Sequence, residues 1–146
     1  MIDSQSLKLI FGAVEMNDKI SHYLSNGLKK KGYKAATASV LNFLGTLECG
    51  VNYGSEIARS LGVSRQMVAK TVKELCRIGY LVQVEGSGKQ KQILFTELGE
   101  QLMSDSRLLL AELDAILCTT IGQVVLQETI DRINNIQSLV PQIENT

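Results

Sequence analysis

Residues 55–81 read SEIARSLGVSRQMVAKTVKELCRIGYL, and their apolar spacing predicts two short helices joined by a tight turn. In the first helix, Ile57, Ala58 and Leu61 recur at helical intervals. Gly62 ends that helix, because glycine enters the left-handed conformation without a Cβ clash. Ser64 follows as a good N-cap for the second helix.

The second helix has one apolar side and one largely polar side. Val68, Val72 and Leu75 fall at i, i+4 and i+7, which predicts a single buried stripe. Gly79 closes the helix, and Arg77 lies in its last turn, where the helix dipole favours a cation. The opposite side carries Arg65, Gln66, Ala69, Lys70 and Lys73. This pattern is typical of a helix-turn-helix, whose second helix enters the major groove of DNA.

The next stretch, LVQVEGSGKQKQILFT over residues 81–96, predicts a two-stranded hairpin with a flexible tip at Gly86-Ser87-Gly88. A hairpin in this position is called a wing. Lys89 and Lys91 alternate with glutamines, so we expect both lysines to project from one side of the second strand. Two cations near the tip without a neighbouring acid favour phosphate contact over a plain solvated loop.

Longer helices flank this unit on both sides. Residues 4–31 form the first, whose Lys29, Lys30 and Lys31 we interpret as favourable cations at a helix end rather than as a DNA-binding tract. Thr37 caps a helix over residues 38–48. Thr96 caps another that reaches about Cys118, and a last helix runs from about Thr120 to Leu139, before Pro141.

The last two helices are too apolar to lie alone on a surface. Their apolar residues cover more than one face: Leu108, Leu109, Leu110, Leu113, Ile116, Leu117, Ile121, Val124, Val125, Leu126, Ile130 and Ile133. A chain of 146 residues has too little interior to bury all of them beside the helix-turn-helix and hairpin of residues 55–96, here called the winged unit. We therefore expect a second copy to cover them in a two-fold dimer.

The charge of the chain is zero overall but is unevenly distributed. Residues 51–96 carry seven Lys or Arg against three Asp or Glu, for a net charge of +4. Residues 1–50 carry +2, and residues 97–146 carry −6. A basic middle beside an acidic end is expected when one face meets phosphates and another does not.

The three cysteines, Cys49, Cys76 and Cys118, are far apart and form no CxxC pair. They suit free thiols in a reducing cytoplasm better than a disulfide or a metal site, and we expect each to be a small core residue rather than an oxidation sensor. The N-terminus has no signal-peptide core, and the most apolar run, residues 116–126, is too short to span a bilayer. These features predict a cytoplasmic protein without a membrane partner.

The order of helix, helix, helix-turn-helix, hairpin and two long helices resembles the MarR (multiple antibiotic resistance regulator) family of winged-helix repressors over nearly the whole chain. Besides residues 55–81, the junction ILFTELGEQL over residues 93–102 is similar to the family's LT-x-x-G entry to its dimer helices. The resemblance implies a mainly α fold with a small β-hairpin wing in a single domain, residues 1–146. Residues 35–96 would be the DNA-binding part, and residues 1–34 and 97–146 the dimerisation helices.

One part of the wing departs from the family pattern. Members of the family commonly carry an Asp-x-Arg pair, in which the arginine reaches into the minor groove and the aspartate helps to hold it. Those places hold Ser87 and Lys89 in this chain. Lysine lacks the planar fork that suits a narrow groove, so we expect weaker or differently placed wing contacts.

The resemblance implies a homodimeric bacterial transcription regulator, most often a repressor, that binds double-stranded DNA at a near-palindromic operator. Ser64 and the first amides of its helix would contact phosphate. Arg65, Gln66 and Lys70 are the candidates for base edges, and Lys73, Lys89 and Lys91 would mainly contact the backbone. Met67 would either touch a thymine methyl group or form the edge of the core.

Two alternatives remain at this point. A winged helix that has lost specific DNA binding would serve as a protein-interaction adaptor, which the zero net charge and the Ser87/Lys89 wing leave open. An enzyme is a weaker interpretation, because His22 is the only histidine and has no motif partner, and no cofactor or metal motif is present. A small-molecule inducer stays open as a further partner, since many members of the family respond to one.

Overall fold

The computed structural model describes residues 3–144 and is mainly helical with one β-hairpin, as predicted. In chain order its elements are α1 (Gln5–Lys30), α2 (Ala38–Glu48), α3 (Gly54–Leu61), α4 (Arg65–Ile78), β1 (Leu81–Glu85), β2 (Lys91–Phe95), α5 (Glu97–Ile121) and α6 (Gln123–Leu139). The described residues up to Arg107 form one compact unit, and those from Leu108 onward form a second.

The predicted helix starts are confirmed by their side-chain caps. Thr37 Oγ1 accepts a hydrogen bond from the Val40 N–H at 3.3 Å and starts α2, and Ser64 Oγ accepts one from the Met67 N–H at 3.1 Å and starts α4. Each cap satisfies an amide that has no acceptor within its own helix. The sequence therefore specifies these starts locally.

The predicted glycine ends are also confirmed. Gly62 after α3 and Gly79 after α4 have φ values of 67° and 108°, in the left-handed region. The Val63 N–H donates to the Ala58 carbonyl at 3.0 Å, which closes α3 and turns the chain sharply into α4. Lys29 and Lys30 lie in the last turn of α1, in agreement with their interpretation as cations at a helix end.

The core of the first unit lies where α2, α3, α4 and the hairpin meet. Tyr80, which follows α4, is only 1% exposed, and its hydroxyl donates to the Lys34 carbonyl at 2.5 Å. The other core side chains include Leu28, Phe43, Leu44, Leu47, Ile57, Val68, Val72, Leu75, Leu81, Ile93 and Leu102. Burial of this set stabilises the helix-turn-helix and the hairpin as one body.

The two strands pair antiparallel, with Leu81 opposite Phe95 and Gln83 opposite Ile93. This register places Leu81 and Ile93 on the same face of the hairpin, and both are buried. Val82 and Val84 lie on the other face and are exposed. The hairpin is therefore held to the core through one face only.

The boundary between the last two helices differs from the prediction. α5 continues to Ile121 and so contains Thr120, which was expected to start the last helix. The Thr120 hydroxyl donates to the Ile116 carbonyl four residues back, which keeps it within a helix. Gly122, with a φ of 89°, makes the break instead, and α6 ends at Leu139, before Pro141.

The second unit leaves many apolar side chains exposed. None of the described residues of α6 is buried. Among residues 3–144, no single helix is long and apolar enough to cross a membrane, and α5 and α6 meet that test only when they are counted together across a bend of 107°. The exposed apolar residues of this unit include Leu108, Ile116, Ile121, Val124, Val125, Ile130, Ile133, Ile136 and Leu139.

Candidate nucleic-acid interface

The exposed side of α4 is the centre of the candidate interface. Val68, Val72 and Leu75 are at most 2% exposed and face the core. The residues predicted for the polar side, together with Met67, are all exposed: Arg65, Gln66, Met67, Ala69, Lys70 and Lys73. The structure thus divides the helix into the two sides that its periodicity predicts. Met67, at 56% exposed, lies outside the core.

The N-terminus of α4 presents free backbone donors to the same side. Ser64 is exposed, and its hydroxyl oxygen accepts the Met67 N–H while its own O–H can still donate. The amides of Arg65 and Gln66 open the helix and have no acceptor within it. Together with the helix dipole, this arrangement is suited to hold an anionic oxygen.

A groove of about 390 Å³ separates α4 from the hairpin. Three cationic residues, Arg65, Lys89 and Lys91, line it from the two sides. Its apolar floor contains Val68 and Ile93, which are buried. The groove therefore gathers positive charge from two separate elements at the exposed end of the winged unit.

The position of Lys89 corrects one sequence expectation. β2 begins at Lys91, and Lys89 lies in the turn before it, so strand alternation does not set the direction of its side chain. Lys91 is the first residue of β2 and pairs with Glu85 across the hairpin. Both lysines nevertheless line the groove beside α4.

The wing tip is held by Tyr53, the residue before α3. The Tyr53 hydroxyl accepts a hydrogen bond from the Ser87 N–H at 3.2 Å. A Cβ on Gly86 would lie 2.8 Å from Tyr53 Cε1 and 2.8 Å from the Gln90 carbonyl oxygen, closer than real side-chain contacts allow. Gly86 is thus needed for space, whereas Gly88, with a φ of 66° and open surroundings, is needed for its conformation.

Asn52 fixes the same segment to β2. The Ile93 N–H donates to the Asn52 carbonyl at 2.8 Å, and the Asn52 side-chain amide donates to the Ile93 carbonyl at 3.3 Å. The sequence pattern indicates neither Asn52 nor Tyr53 as a site residue. The hairpin, with a tip predicted to be flexible, is instead joined to the segment before α3 by hydrogen bonds with these two residues. The sequence contains only a weak signal for the role of Tyr53: a tyrosine, which is a poor capping residue, occupies the N-cap position of α3. In the structure its side chain makes no capping hydrogen bond.

The end of α4 is joined to the start of α5 through Thr96 and Gly99. Thr96 Oγ1 accepts the Gly99 N–H at 3.1 Å and donates its own proton to the Gly79 carbonyl. A Cβ on Gly99 would overlap the Tyr80 carbonyl group. The T-x-x-G pattern of residues 96–99 therefore has a physical role, because it allows α5 to begin in direct contact with the end of α4.

Arg77 differs from the other cations of α4. Its guanidinium donates to both carboxylate oxygens of Glu74, at 2.5 and 3.0 Å, one helical turn away. The hydrogen bond from Arg77 lowers the pKa of Glu74. The positive charge of Arg77 is thus locally balanced, whereas no acid lies within ion-pair distance of Arg65, Lys70 or Lys73 in the described part of the chain.

The cysteines are only partly as expected. Cys49, expected in the core, is exposed, because it follows the last turn of α2 beyond that helix's buried stripe. Cys76 and Cys118 are half-buried, and burial raises the pKa of the Cys76 thiol. The structure describes no group of three or more His, Cys, Asp or Glu between residues 3 and 144 that could hold a metal ion.

A second cavity, of about 590 Å³, lies between the end of α2 and the first turns of α5. Arg107 forms an ion pair with Glu48 at its edge. Glu97 and Glu100 also line the cavity, beside Leu47, Phe95 and Met103. Its lining thus combines apolar side chains with two carboxylates, those of Glu97 and Glu100, that form no ion pair with Arg107.

No family model matches the sequence, and no curated protein is detectably similar to it. Solved structures of the same fold are similar over nearly the whole chain. Staphylococcus aureus MarR in complex with salicylate and kanamycin has a TM-score of 0.74 at 17% identity, covering 92% of this chain and 91% of that one. The S. aureus MepR–DNA complex has a TM-score of 0.66 at 16% identity, covering 94% and 98%.

A third similar structure is a MarR-family transcriptional regulator from Rhodococcus sp. RHA1, with a TM-score of 0.68 at 17% identity, covering 92% of this chain and 96% of that one. All three comparisons include both the winged unit and the long helices at each end of the chain. The fold predicted from the sequence is thereby confirmed. The chain has the winged-helix fold of the MarR family of transcriptional regulators.

Proposed function

We propose that this chain is a transcription regulator that binds double-stranded DNA as a homodimer and acts as a repressor in the cytoplasm. The observation that carries the proposal is the exposed, cationic side of α4, with its apolar stripe buried and its N-terminus open. One of the similar solved structures is that of S. aureus MepR in complex with DNA. Residues 35–96 would form the DNA-binding part.

The proposed contacts follow from the chemistry of each side chain. Arg65, Gln66 and Lys70 read base edges, because Arg and Lys can bind guanine and Gln can bind adenine in the major groove. Ser64 and the first amides of α4 bind phosphate. Lys73, Lys89 and Lys91 bind the backbone, and Met67, which is 56% exposed, contacts a thymine methyl group.

The homodimer is supported by apolar surface that the chain leaves uncovered. In α1, Ile10, Phe11 and Val14 are each more than half exposed. In the second unit, Val124 is 70% exposed and Leu139 is equally exposed. A second copy that covers residues 1–34 and 97–146 would remove this surface from water and set two recognition helices about one DNA turn apart, on a near-palindromic operator.

A small-molecule inducer is also part of the proposal. The neighbouring S. aureus MarR structure contains salicylate. In this chain the cavity between α2 and α5 is the candidate site, and Glu97 and Glu100 in its lining favour a neutral or cationic ligand over an anionic one. If neutral or cationic compounds release the protein from DNA and salicylate does not, this result supports the cavity between α2 and α5 as the inducer site.

The test begins with selection of bound DNA from a random pool, followed by titration of the selected fragment. Arg65→Ala should cost roughly 1–3 kcal/mol and relax base preference, because a bidentate base contact is lost. Lys89→Ala should weaken binding evenly across sequences. It should also reduce the salt slope, the steepness with which log affinity falls against log salt concentration, by about 1. Arg132→Ala, which removes an exposed arginine from α6, is the charge-matched control. Because α6 belongs to the proposed dimer surface, light scattering first checks that this variant self-associates as the wild type does, and its DNA affinity should then be unchanged.

Two outcomes would contradict the proposal. Equal and small effects of Arg65→Ala and Lys89→Ala would remove the assigned roles. Absence of DNA binding at low salt, or binding that ignores salt, would favour a protein-interaction adaptor instead.

A further inference from the structure

We infer that Tyr53 is a positioning residue for DNA binding, which holds the wing tip so that Lys89 reaches the phosphate backbone. The inference rests on the proposed function. Tyr53 touches no nucleic acid in this scheme, and it acts through the tip that carries the lysine.

The first support is the hydrogen bond at the tip. Tyr53 accepts the Ser87 N–H at 3.2 Å, across 34 residues of chain. Lys89 lies two residues beyond this anchor, in the same turn, and the Gln90 N–H closes that turn on the Ser87 carbonyl at 3.3 Å. The backbone that carries Lys89 is thus fixed on one side by Tyr53.

The second support is the space around Gly86. The Tyr53 ring lies so close to Gly86 that a Cβ there would be 2.8 Å from Cε1 and 2.9 Å from the hydroxyl oxygen. A tyrosine that packed loosely at the surface would leave room for a Cβ at residue 86. The ring and the glycine form a close contact that sets how far the tip approaches α3.

The third support is where Tyr53 is anchored. It directly precedes α3, and the Ile57 N–H donates to its carbonyl at 3.0 Å, so its backbone belongs to the helix-turn-helix. Asn52 beside it pairs with Ile93 of β2. The tip therefore keeps its place relative to α4, and Lys89 and Arg65 line one groove. A tip fixed in advance avoids the entropy cost of ordering a mobile loop on DNA.

The experiment uses the full chain and the selected DNA fragment at several salt concentrations. Tyr53→Phe removes the hydroxyl and keeps the ring, and it should weaken binding roughly two- to tenfold, the range of one hydrogen bond. It should also reduce the salt slope toward that of Lys89→Ala, because a released tip no longer delivers its lysine. The double variant should bind no more weakly than Lys89→Ala alone.

One further variant completes the design. Gly86→Ala places a Cβ 2.8 Å from both the Tyr53 ring and the Gln90 carbonyl oxygen, so it displaces the tip and should reproduce the smaller salt slope. Thermal unfolding of each variant checks that the fold is retained.

The inference is overturned if Tyr53→Phe binds as tightly as the wild type, or if its loss of affinity leaves the salt slope unchanged and adds fully to that of Lys89→Ala. Either result leaves the proposed function intact as long as Lys89→Ala has its effect. A wild-type protein that binds no DNA overturns the proposed function itself.

Discussion

The hydroxyl of Tyr33 donates a hydrogen bond to Asp105 Oδ2 at 2.5 Å, and so joins the loop after α1 to α5 across 72 residues of chain. Lys31 Nζ lies 3.8 Å from the other oxygen of the same carboxylate. Burial first, and then the hydrogen bond to Asp105, raises the pKa of Tyr33 to about 12, from an ordinary value of 10.0. The link between α1 and α5 therefore depends on a neutral phenol.

This pKa predicts a loss of stability in alkali. The unfolded chain releases the Tyr33 proton near pH 10 and the folded chain near pH 12, so the folded state binds more protons between them. The stabilisation is complete below pH 10 and decreases as the pH rises to about 12. Denaturant unfolding across this range should show a flatter pH dependence for Tyr33→Phe, and identical slopes would contradict the assignment.

Gly99 should not tolerate a side chain. Gly99→Ala places a Cβ against the Tyr80 carbonyl and should lower the free energy of unfolding by about 1–3 kcal/mol, because the backbone must shift. Gly45→Ala is the matched control, since a Cβ on that helical glycine meets nothing within 4 Å. It should raise the free energy of unfolding by about 0.5–1 kcal/mol. Urea titration measures both, and equal effects would refute the tight junction between α4 and α5.

Variants of Ser64 can distinguish its role in helix capping from its proposed role in phosphate binding. Ser64→Asp keeps an oxygen that accepts the Met67 N–H and adds a negative charge that the helix N-terminus favours, so stability should change by less than about 0.5 kcal/mol. The same charge repels phosphate, so DNA affinity should decrease strongly. Ser64→Ala should instead cost about 1 kcal/mol of stability. Unchanged DNA binding by Ser64→Asp would show that phosphate does not lie at this helix end.

Phe11 tests the proposed self-association. Its side chain is 64% exposed on α1, and Phe11→Lys should shift the protein toward the monomer, because a charge would be buried between copies. Met67→Lys is the control, since Met67 is 56% exposed on α4, away from the proposed dimer surface. Light scattering over a range of concentrations measures the shift. A wild-type protein that is already monomeric would contradict the dimer.

Much of the winged unit could be predicted because its signals act within a few residues. The Ser64 cap, the Gly62 and Gly79 ends and the Val68–Val72–Leu75 stripe each depend on backbone geometry within about one or two helical turns. The same locality explains the misplaced boundary at Thr120. A threonine pair looks like a break, but a threonine hydroxyl can bond back to its own helix, and the neighbouring Gly122 makes the break instead.

By itself, the sequence determined the order of the elements, the two sides of α4 and the fold class, because apolar periodicity and helix caps depend on residues close together in the sequence. Only the tertiary structure decided that the Tyr53 hydroxyl holds the wing tip, that Lys89 lies in a turn and lines the same groove as Arg65, and that Tyr33 reaches Asp105. The members of these pairs are 24 to 72 positions apart in the sequence. No local pattern encodes such a meeting, because it depends on how the helices and the hairpin pack around the common core.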